Sequence, residues 1–413
     1  MESSSSIDTD IFDILLVGGG IVGNVLSLAL AGQPLRIGII EAQSSPATSQ
    51  AIQHHRDERA IALTNASVRL FQSLGVWDAI APYATAIQQV HVSEAGRFGQ
   101  VKLRASDTGY AFLGQVVSAH RLLEALRARV SQFSNITTLY ETKLEQLERN
   151  KEGYTLKLHS LDQAQYLNTR LVVAADGTQS FTRKCLNIPI KSNDYHQHAI
   201  VATLQVSHPH NGVAYERFTT SGALGALPLL GDRYVVVWTI PSNQLEDLMA
   251  LSAQDFCKKL QHLWGYKLGR ILSIEKRQSF LLQSVFATQQ TAPFALLIGN
   301  AAHTLHPVAA QGLNLSLKDV AVFAEMVSEA IANQQDPTRY ALLETYAQSR
   351  KREQVLTSVL TNTLIHLFSY EIAPLVWGRN IGLSSFNLLP TLQRIFAKRA
   401  MGLSGRLPAL MRY

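Results

Sequence analysis

Asp13-Ile14-Leu15-Leu16-Val17-Gly18-Gly19-Gly20-Ile21-Val22-Gly23 is the stretch on which the reading of this chain turns. The apolar run Ile14 to Val17 reads as a buried strand. Val25, Leu26, Leu28, Ala29 and Leu30 then read as a helix that breaks at Gly32-Gln33-Pro34. Between strand and helix, Gly18, Gly20 and Gly23 fit G-x-G-x-x-G. The first glycine permits the tight turn, the second lets backbone approach a pyrophosphate, and the third lets the helix pack closely on the strand. A second strand, Leu35 to Ile40, ends at Glu41, about 20 residues beyond the glycines, where a carboxylate can accept hydrogen bonds from an adenosine ribose. Strand, glycines, helix, strand and acid in this order predict a βαβ unit that binds a dinucleotide.

A second cradle lies near the other end. The strand-like run Phe294 to Ile298 leads into Gly299-Asn300-Ala301-Ala302-His303-Thr304-Leu305-His306-Pro307, then Gln311-Gly312-Leu313-Asn314 and Asp319. Leu315, Leu317, Val320, Ala321 and Ala324 continue as a helix. A strand turning through small residues into a helix start leaves free backbone N–H groups aimed at one spot, which suits an anion or an electron-rich carbonyl. Between the cradles, the strand Leu171 to Ala175 ends in Asp176-Gly177-Thr178-Gln179-Ser180-Phe181-Thr182-Arg183.

At 413 residues the chain is too long for one ordinary core, so two interleaved domains are expected. From Ile188 to Phe286 the pattern is mostly period-two and β-branched, as in Ala199 to Leu204 and Tyr234 to Thr239, and reads as an inserted antiparallel sheet. From Val320 onward it is helical, punctuated by Pro337, Pro374, Pro390 and Pro408. The two cysteines, Cys185 and Cys257, point to a reducing compartment without disulfides. Met1 to Ser6 has neither the basic start nor the apolar core of a secretory signal, and no run of about 18 apolar residues occurs that could span a bilayer. A net charge of +6, with no basic run interleaved with aromatics, argues against nucleic-acid binding. His303-x-x-His306, His196-Gln197-His198 and His208-Pro209-His210 lack a third ligand at convincing spacing, so no metal is expected. No G-x-S-x-G is present, which removes the hydrolase elbow.

The glycine fingerprint with Glu41, Asp176-Gly177-x-x-Ser180-x-x-Arg183 and the Gly299 segment, in that order, resemble the flavoprotein aromatic hydroxylases, single-component monooxygenases that hold FAD. The resemblance covers nearly the whole chain. Tyr215-Glu216-Arg217-Phe218-Thr219, Gly299-Asn300-Ala301-Ala302 and Pro374-Leu375-Val376-x-Gly378-Arg379-Asn380-Ile381-Gly382-Leu383 are similar to the ubiquinone-biosynthesis branch, and within it to the hydroxylases of polyprenyl-methoxyphenols. The implied fold is α/β. A Rossmann-like FAD-binding domain of the p-hydroxybenzoate hydroxylase type takes residues 1–80, 104–187 and 286–345. An antiparallel-sheet substrate domain takes 81–103 and 188–285, and a helical C-terminal region takes 346–413.

The resemblance also implies roles. Gly18, Gly20 and Gly23 hold the FAD pyrophosphate, Glu41 the adenosine ribose, and Arg59 the flavin's phosphate or ribityl side. Asp176 lies between FAD and the groove where NAD(P)H docks, and Asn300 at the ribityl–pyrophosphate junction. Backbone N–H groups of Gly312, Leu313 and Asn314 face the flavin's N1 and C2 carbonyl, where reduced flavin carries negative charge that a helix N-terminus stabilises. Arg121 and Pro307 complete the cofactor-binding set. In the implied reaction NAD(P)H reduces FAD and O2 adds to give a C4a-hydroperoxyflavin. Its terminal oxygen then attacks the carbon para to the phenol hydroxyl, in a site that excludes water. Three residues depart from the family pattern. Asn300 replaces a carboxylate, although its amide oxygen still accepts from a ribityl hydroxyl. Ala310 stands where glycine is usual, which calls for a negative φ there. Ser316 replaces another frequent glycine.

Arg217, Phe218 and Trp238 on the inserted sheet, and His306 before Pro307, are candidates for substrate contact. Core packing is the alternative for Phe218 and Trp238, and loop fixing for His306. No side chain stands out as a proton acceptor for the phenol. The expected partners are a polyprenylated phenol, O2 and other ubiquinone-biosynthesis proteins. Two further readings stay open: hydroxylation at another ring position, and a flavin-bearing component of the biosynthetic complex without turnover of its own. Arg394, Lys398, Arg399, Arg406 and Arg412 alternate with Leu389, Leu392, Ile395, Phe396, Leu403, Leu407 and Leu410. This stretch suits either a helix packed on its own protein or one resting on an anionic membrane surface. The expected location is cytoplasmic, with peripheral contact at the inner face of the membrane under the second alternative.

Overall fold

A computed structural model describes residues 11–45, 59–160, 163–220, 222–369 and 372–412. The serine-rich start and most of the polar loop after Glu41 lie outside these residues.

The strand Ile11–Val17 is buried on both faces over most of its length, which is why its apolar residues run without alternation. It pairs in parallel with Ile37–Ile40 on one side and with the end of Gln163–Ala174 on the other, so that Leu16 sits between Ile39 and Val173. Ile136–Leu139 and Ala295–Leu297 extend the parallel sheet at its two ends. On one face, the helices Ile21–Leu30, Ala119–Val130 and Gln311–Ala332 bury Val25, Leu26, Leu122, Leu126, Leu317 and Phe323 against Ile14, Leu16 and Val173. Each such side chain contributes about 1.5–3 kcal/mol on burial. The other face is covered by the hairpin Thr142–Arg149 and Tyr154–Ser160, through Tyr154, Leu156 and Leu158 on Phe12, Leu15 and Val172.

A second sheet takes Gln89–Glu94 and Gln100–Arg104 from one excursion of the chain and the strands between Ile190 and Ala287 from another. One pairing departs from the expected antiparallel pattern: Gln89–Glu94 runs parallel to Val213–Thr219. The two strands come from separate excursions, and strands not joined by a hairpin are free to pair in parallel. One face of this sheet, with Ile200, Leu224, Val236 and Trp238, packs on the helix Ala253–Trp264 through Phe256, Leu260 and Trp264. The opposite face turns toward the first domain, where Phe218 and Ala223 meet Val308 and Phe368.

The helices Tyr340–Ser369, Ala373–Phe386 and Pro390–Ala400 follow. Pro374 and Pro390 fall in the first turn, where a missing N–H costs nothing. The chain does not end among these helices. The turn Ala409–Met411 returns to the helix Asn65–Ser73, Met411 is buried in the first core, and Arg412 meets Glu325 at 3.1 Å. The C-terminal region is helical, as expected, and its last turn packs into the core of the first domain. Among the described residues no helix is long and apolar enough to cross a membrane.

Candidate active site

Each glycine of the fingerprint meets a different steric demand. Gly18 has φ +111°, and a Cβ there would lie 2.5 Å from the Ala175 carbonyl oxygen. A Cβ on Gly23 would lie 2.1 Å from the Gly18 carbonyl oxygen, so helix and loop touch backbone to backbone. At Gly20 a Cβ would meet nothing within 4 Å. The middle glycine thus faces open space at the position where a pyrophosphate has to approach. The helix Ile21–Leu30 has no side-chain cap and no acidic residue in its first turn, which leaves its N–H groups to a ligand anion. Asn24 holds the loop by donating to the carbonyls of Gly19 (2.7 Å) and Gly20 (2.9 Å). Glu41 stands beside the loop: one carboxylate oxygen accepts from the Gln43 N–H at 2.8 Å, and the other lies 3.5 Å from Arg127.

The second and third motifs converge on the same place. Gly18 abuts Ala175 and Asp176, and Gly299, at φ +60°, packs on Val22 of the fingerprint helix. One oxygen of Asp176 accepts from the Thr182 N–H and hydroxyl, both at 2.9 Å, while its other oxygen is buried without a partner. Arg183 is buried and donates to the carbonyls of Ala301 (2.8 Å) and Thr178 (2.9 Å), tying the two loops together.

The helix Gln311–Ala332 likewise begins without a side-chain cap or an acidic first turn, and a Cβ on Gly312 would meet nothing within 4 Å. Asn314 fixes its position through the side chain. The amide oxygen accepts from the Thr64 N–H and the Ser67 hydroxyl, both at 2.8 Å, and the amide nitrogen donates to Ala62 (2.8 Å) and Ala310 (2.9 Å). That leaves the backbone of Gly312, Leu313 and Asn314 as the part able to face a ligand. Ala310 does not have the negative φ expected of it. It adopts the left-handed region at φ +51°, held by its N–H on Pro307 and its carbonyl under Asn314.

A buried charge network behind this helix was not anticipated from sequence. Asp319 accepts from His303 (2.7 Å), Arg350 (2.5 Å) and Gln354 (2.9 Å), and Glu353 binds both Arg350 and Lys318 at 2.6 Å. Burial opposes ionisation of Asp319, but Arg350 and His303 outweigh it and hold the carboxyl below its usual range. The available signal was Arg350-x-x-Glu353-Gln354, which places three polar side chains on one helical face.

The remaining candidates scatter. Arg59 lies 5.4 Å over the Phe280 ring of the second sheet. Arg121 pairs with Glu124 at 3.1 Å and lies 4.8 Å over Tyr83, a surface arrangement. Asn300 and Pro307 are exposed in the loop. His306 is buried, edge-on to Tyr195 at 4.8 Å; Nδ1 accepts from the Val308 N–H, Nε2 has no partner, and burial pushes its pKa down to about 4. Phe218 stacks on Phe368 at 3.9 Å beside Val308. Trp238 packs 5.7 Å from Phe256 on the opposite face of the sheet, and Leu224, paired with both Arg217 and Trp238, belongs to the same cluster. Strand alternation therefore puts Arg217 and Trp238 on the far side of the sheet from Phe218.

Two uncapped helix starts, a carboxylate beside the first, open space at Gly20 and Gly312, and an orphaned Asp176 oxygen next to the glycine loop fit an extended dinucleotide such as FAD. This arrangement defines a flavoprotein of the Rossmann-like class with an inserted sheet. Residues 11–363 match the family described as FAD binding domain. The chain is 33% identical over 408 residues to ubiquinone hydroxylase UbiL of Rhodospirillum rubrum, covering 97% of this chain and 92% of that protein. It is 26% identical to 3-demethoxyubiquinol 3-hydroxylase of Escherichia coli, over 95% and 98% of the two chains. The fold superimposes on p-nitrophenol 4-monooxygenase of Pseudomonas putida with a TM-score of 0.79 at 15% identity, over 96% and 99% of the chains. The chain belongs to the FAD-dependent monooxygenase family that contains the ubiquinone hydroxylases.

Proposed function

We propose that this protein hydroxylates the ring of a polyprenylated methoxyphenol in ubiquinone biosynthesis, with NAD(P)H and O2 as co-substrates. The observation that carries the reading is near full-length similarity to a ubiquinone hydroxylase, joined to cofactor cradles that meet at one place. Bound there, FAD would supply hydride acceptance and oxygen transfer. The chain's own part is positioning and electrostatics. N–H groups of the fingerprint loop would hold the pyrophosphate, Glu41 the ribose, and the start of Gln311–Ala332 the negative charge that develops on the ring system. Phe218, Phe368 and Val308 form an apolar wall that would keep water from the reacting atoms.

The name of the Escherichia coli relative favours a second reading, the same chemistry at another ring position. The two are separated by supplying prenylphenols that differ in which ring carbon is free and identifying the products. Substrate-dependent NAD(P)H oxidation with a product hydroxylated para to the phenol hydroxyl is the expected result. A preparation that binds no flavin would end both readings. We further propose peripheral contact with the membrane through the C-terminal helices. Trp377, Ile381, Leu388, Leu392, Ile395 and Phe396 are exposed there beside Arg394, Lys398 and Arg399.

A further inference from the structure

We propose that Glu216 is the group that takes the proton from the substrate's phenol hydroxyl, standing as the carboxylate over an apolar slot between the inserted sheet and the loop around Val308. The proposal rests on the hydroxylase reading above and adds the acid–base residue that reading lacks.

The cross-strand register lays out the slot. On the inner face of the sheet, Phe218 is paired with Glu94 and Ala223, and Ala199 with Thr239 and Phe280. Glu94, Phe218, Ala223, Thr239 and Ala199 are buried. One step along the strands, Glu216 is paired with Val92 and Gly225, Gly225 with Val237, and Val237 with Val201. Every member of this second row is half-buried, although the row lies on the inward face. Val92 meets the cluster of Phe218 and Val308, while Glu216, Gly225, Val237 and Val201 keep part of their surface uncovered, and among the five Glu216 alone carries charge. A Cβ on Gly225 would sit 3.6 Å from a Glu216 oxygen, so the glycine leaves room beside the carboxylate. About 6–7 Å further along the strand, Phe218 reaches Val308 and the loop that leads into the second cradle.

The chemistry of the carboxylate agrees with this placement. Burial alone pushes the Glu216 pKa up to about 7, so the group is partly ionised at neutral pH and able to accept a proton. Nearby charged groups are otherwise engaged: Glu94 is tied to Arg379 and Asn380, and Arg59 lies over Phe280. His306 is neutral at these pH values. In the proposed step the phenol O–H bond breaks and its proton passes to a Glu216 oxygen. The electron pair stays on the phenolate oxygen and raises electron density at the ring carbon that receives oxygen. The carboxylic acid later returns its proton to water.

The test compares wild type, E216Q and E216D as FAD-loaded proteins with a short-chain methoxylated prenylphenol across pH 5.5–9. For wild type, kcat/KM should rise with pH through an apparent pKa near 7. E216Q should lose about 100-fold or more in hydroxylation rate together with that limb of the profile. Its flavin spectrum and phenol affinity should stay within about threefold of wild type. E216D should keep the limb at a reduced rate. An E216Q that turns over within about threefold of wild type on the same pH profile overturns the assignment and leaves the hydroxylase reading intact. A wild type that hydroxylates no prenylphenol sinks the hydroxylase reading, and this proposal with it.

Discussion

Ala310 and His306 flank the second cradle, and both are held in states that would be unfavourable in isolation. A non-glycine residue in the left-handed region costs about 1–2 kcal/mol, and Ala310 accepts that cost because Pro307 and Asn314 fix its two backbone groups. Replacing Ala310 with glycine should stabilise the fold by up to about 1 kcal/mol, after the added flexibility of the unfolded chain is set against the relieved strain, and so raise the melting temperature. Calorimetry of the FAD-loaded protein checks this, and a lower melting temperature would contradict the left-handed geometry. His306 drops from 6.5 to about 4 on burial, so the unfolded chain binds more protons between those values. Its contribution to stability is complete above pH 6.5 and is lost as pH falls toward 4. Glu216 runs the other way. Its pKa is raised from 4.5 to about 7, so its contribution is present below pH 4.5 and lost as pH rises through 7. The wild-type curve blends the two, and the His306→Gln variant separates them. Relative to wild type, H306Q should gain stability by about 3 kcal/mol between pH 7 and pH 4, read from denaturant midpoints.

At the scale of elements, the helix Gln311–Ala332 is positioned by polar groups at both ends of its buried face. Asn314 clamps its start to the strand Ala60–Thr64, and Asp319 anchors it to Arg350 of the helix Tyr340–Ser369. Asp319→Asn leaves Arg350 buried with one fewer counter-charge, and loss of one partner of such a pair typically costs about 3–5 kcal/mol. Chemical denaturation of D319N should show that loss, accompanied by weaker FAD retention because the helix start moves with its anchor. The helix Ala373–Phe386 is locked in the same manner. Glu94 binds Arg379 and Asn380, and the Asn380 amide oxygen accepts from the Gly99 N–H at 2.8 Å. The string Gly378-Arg379-Asn380, read from sequence as a branch signature, thus pins a C-terminal helix to the edge of the inserted sheet. Trp238 and Phe218 illustrate the limit of reading single strands. Period-two alternation was visible in both segments, but only the pairing of five strands shows which face meets the helix Ala253–Trp264 and which meets Val308.

Across the whole molecule, the C-terminal helices expose a surface that the rest of the fold does not cover. Leu392, Ile395 and Phe396 are exposed on the helix Pro390–Ala400, next to Arg394, Lys398 and Arg399. Replacing Ile395 and Phe396 with aspartate should leave the melting temperature unchanged. It should also abolish cosedimentation with vesicles rich in anionic lipid, and equal binding by the variant would remove the membrane proposal. Deleting the chain from Leu388 onward would be a poorer test, because Met401 and Met411 are core residues and the fold would suffer with the surface.

The sequence alone determined what depends on near neighbours. The glycine turn with its acid one strand later, the Asp176 and Gly299 loops, and the order of strands and helices all follow from local sterics and hydrogen bonding, which a short window contains. The tertiary structure decided what depends on strands and helices far apart in the chain. It set the left-handed state of Ala310, the burial of Asp319 with Arg350, the face on which Trp238 lies, and the pairing of Glu216 with Val92 and Gly225 in a half-buried row. Those properties arise from register between strands and from the exclusion of water by packed elements, and no short segment specifies either by itself.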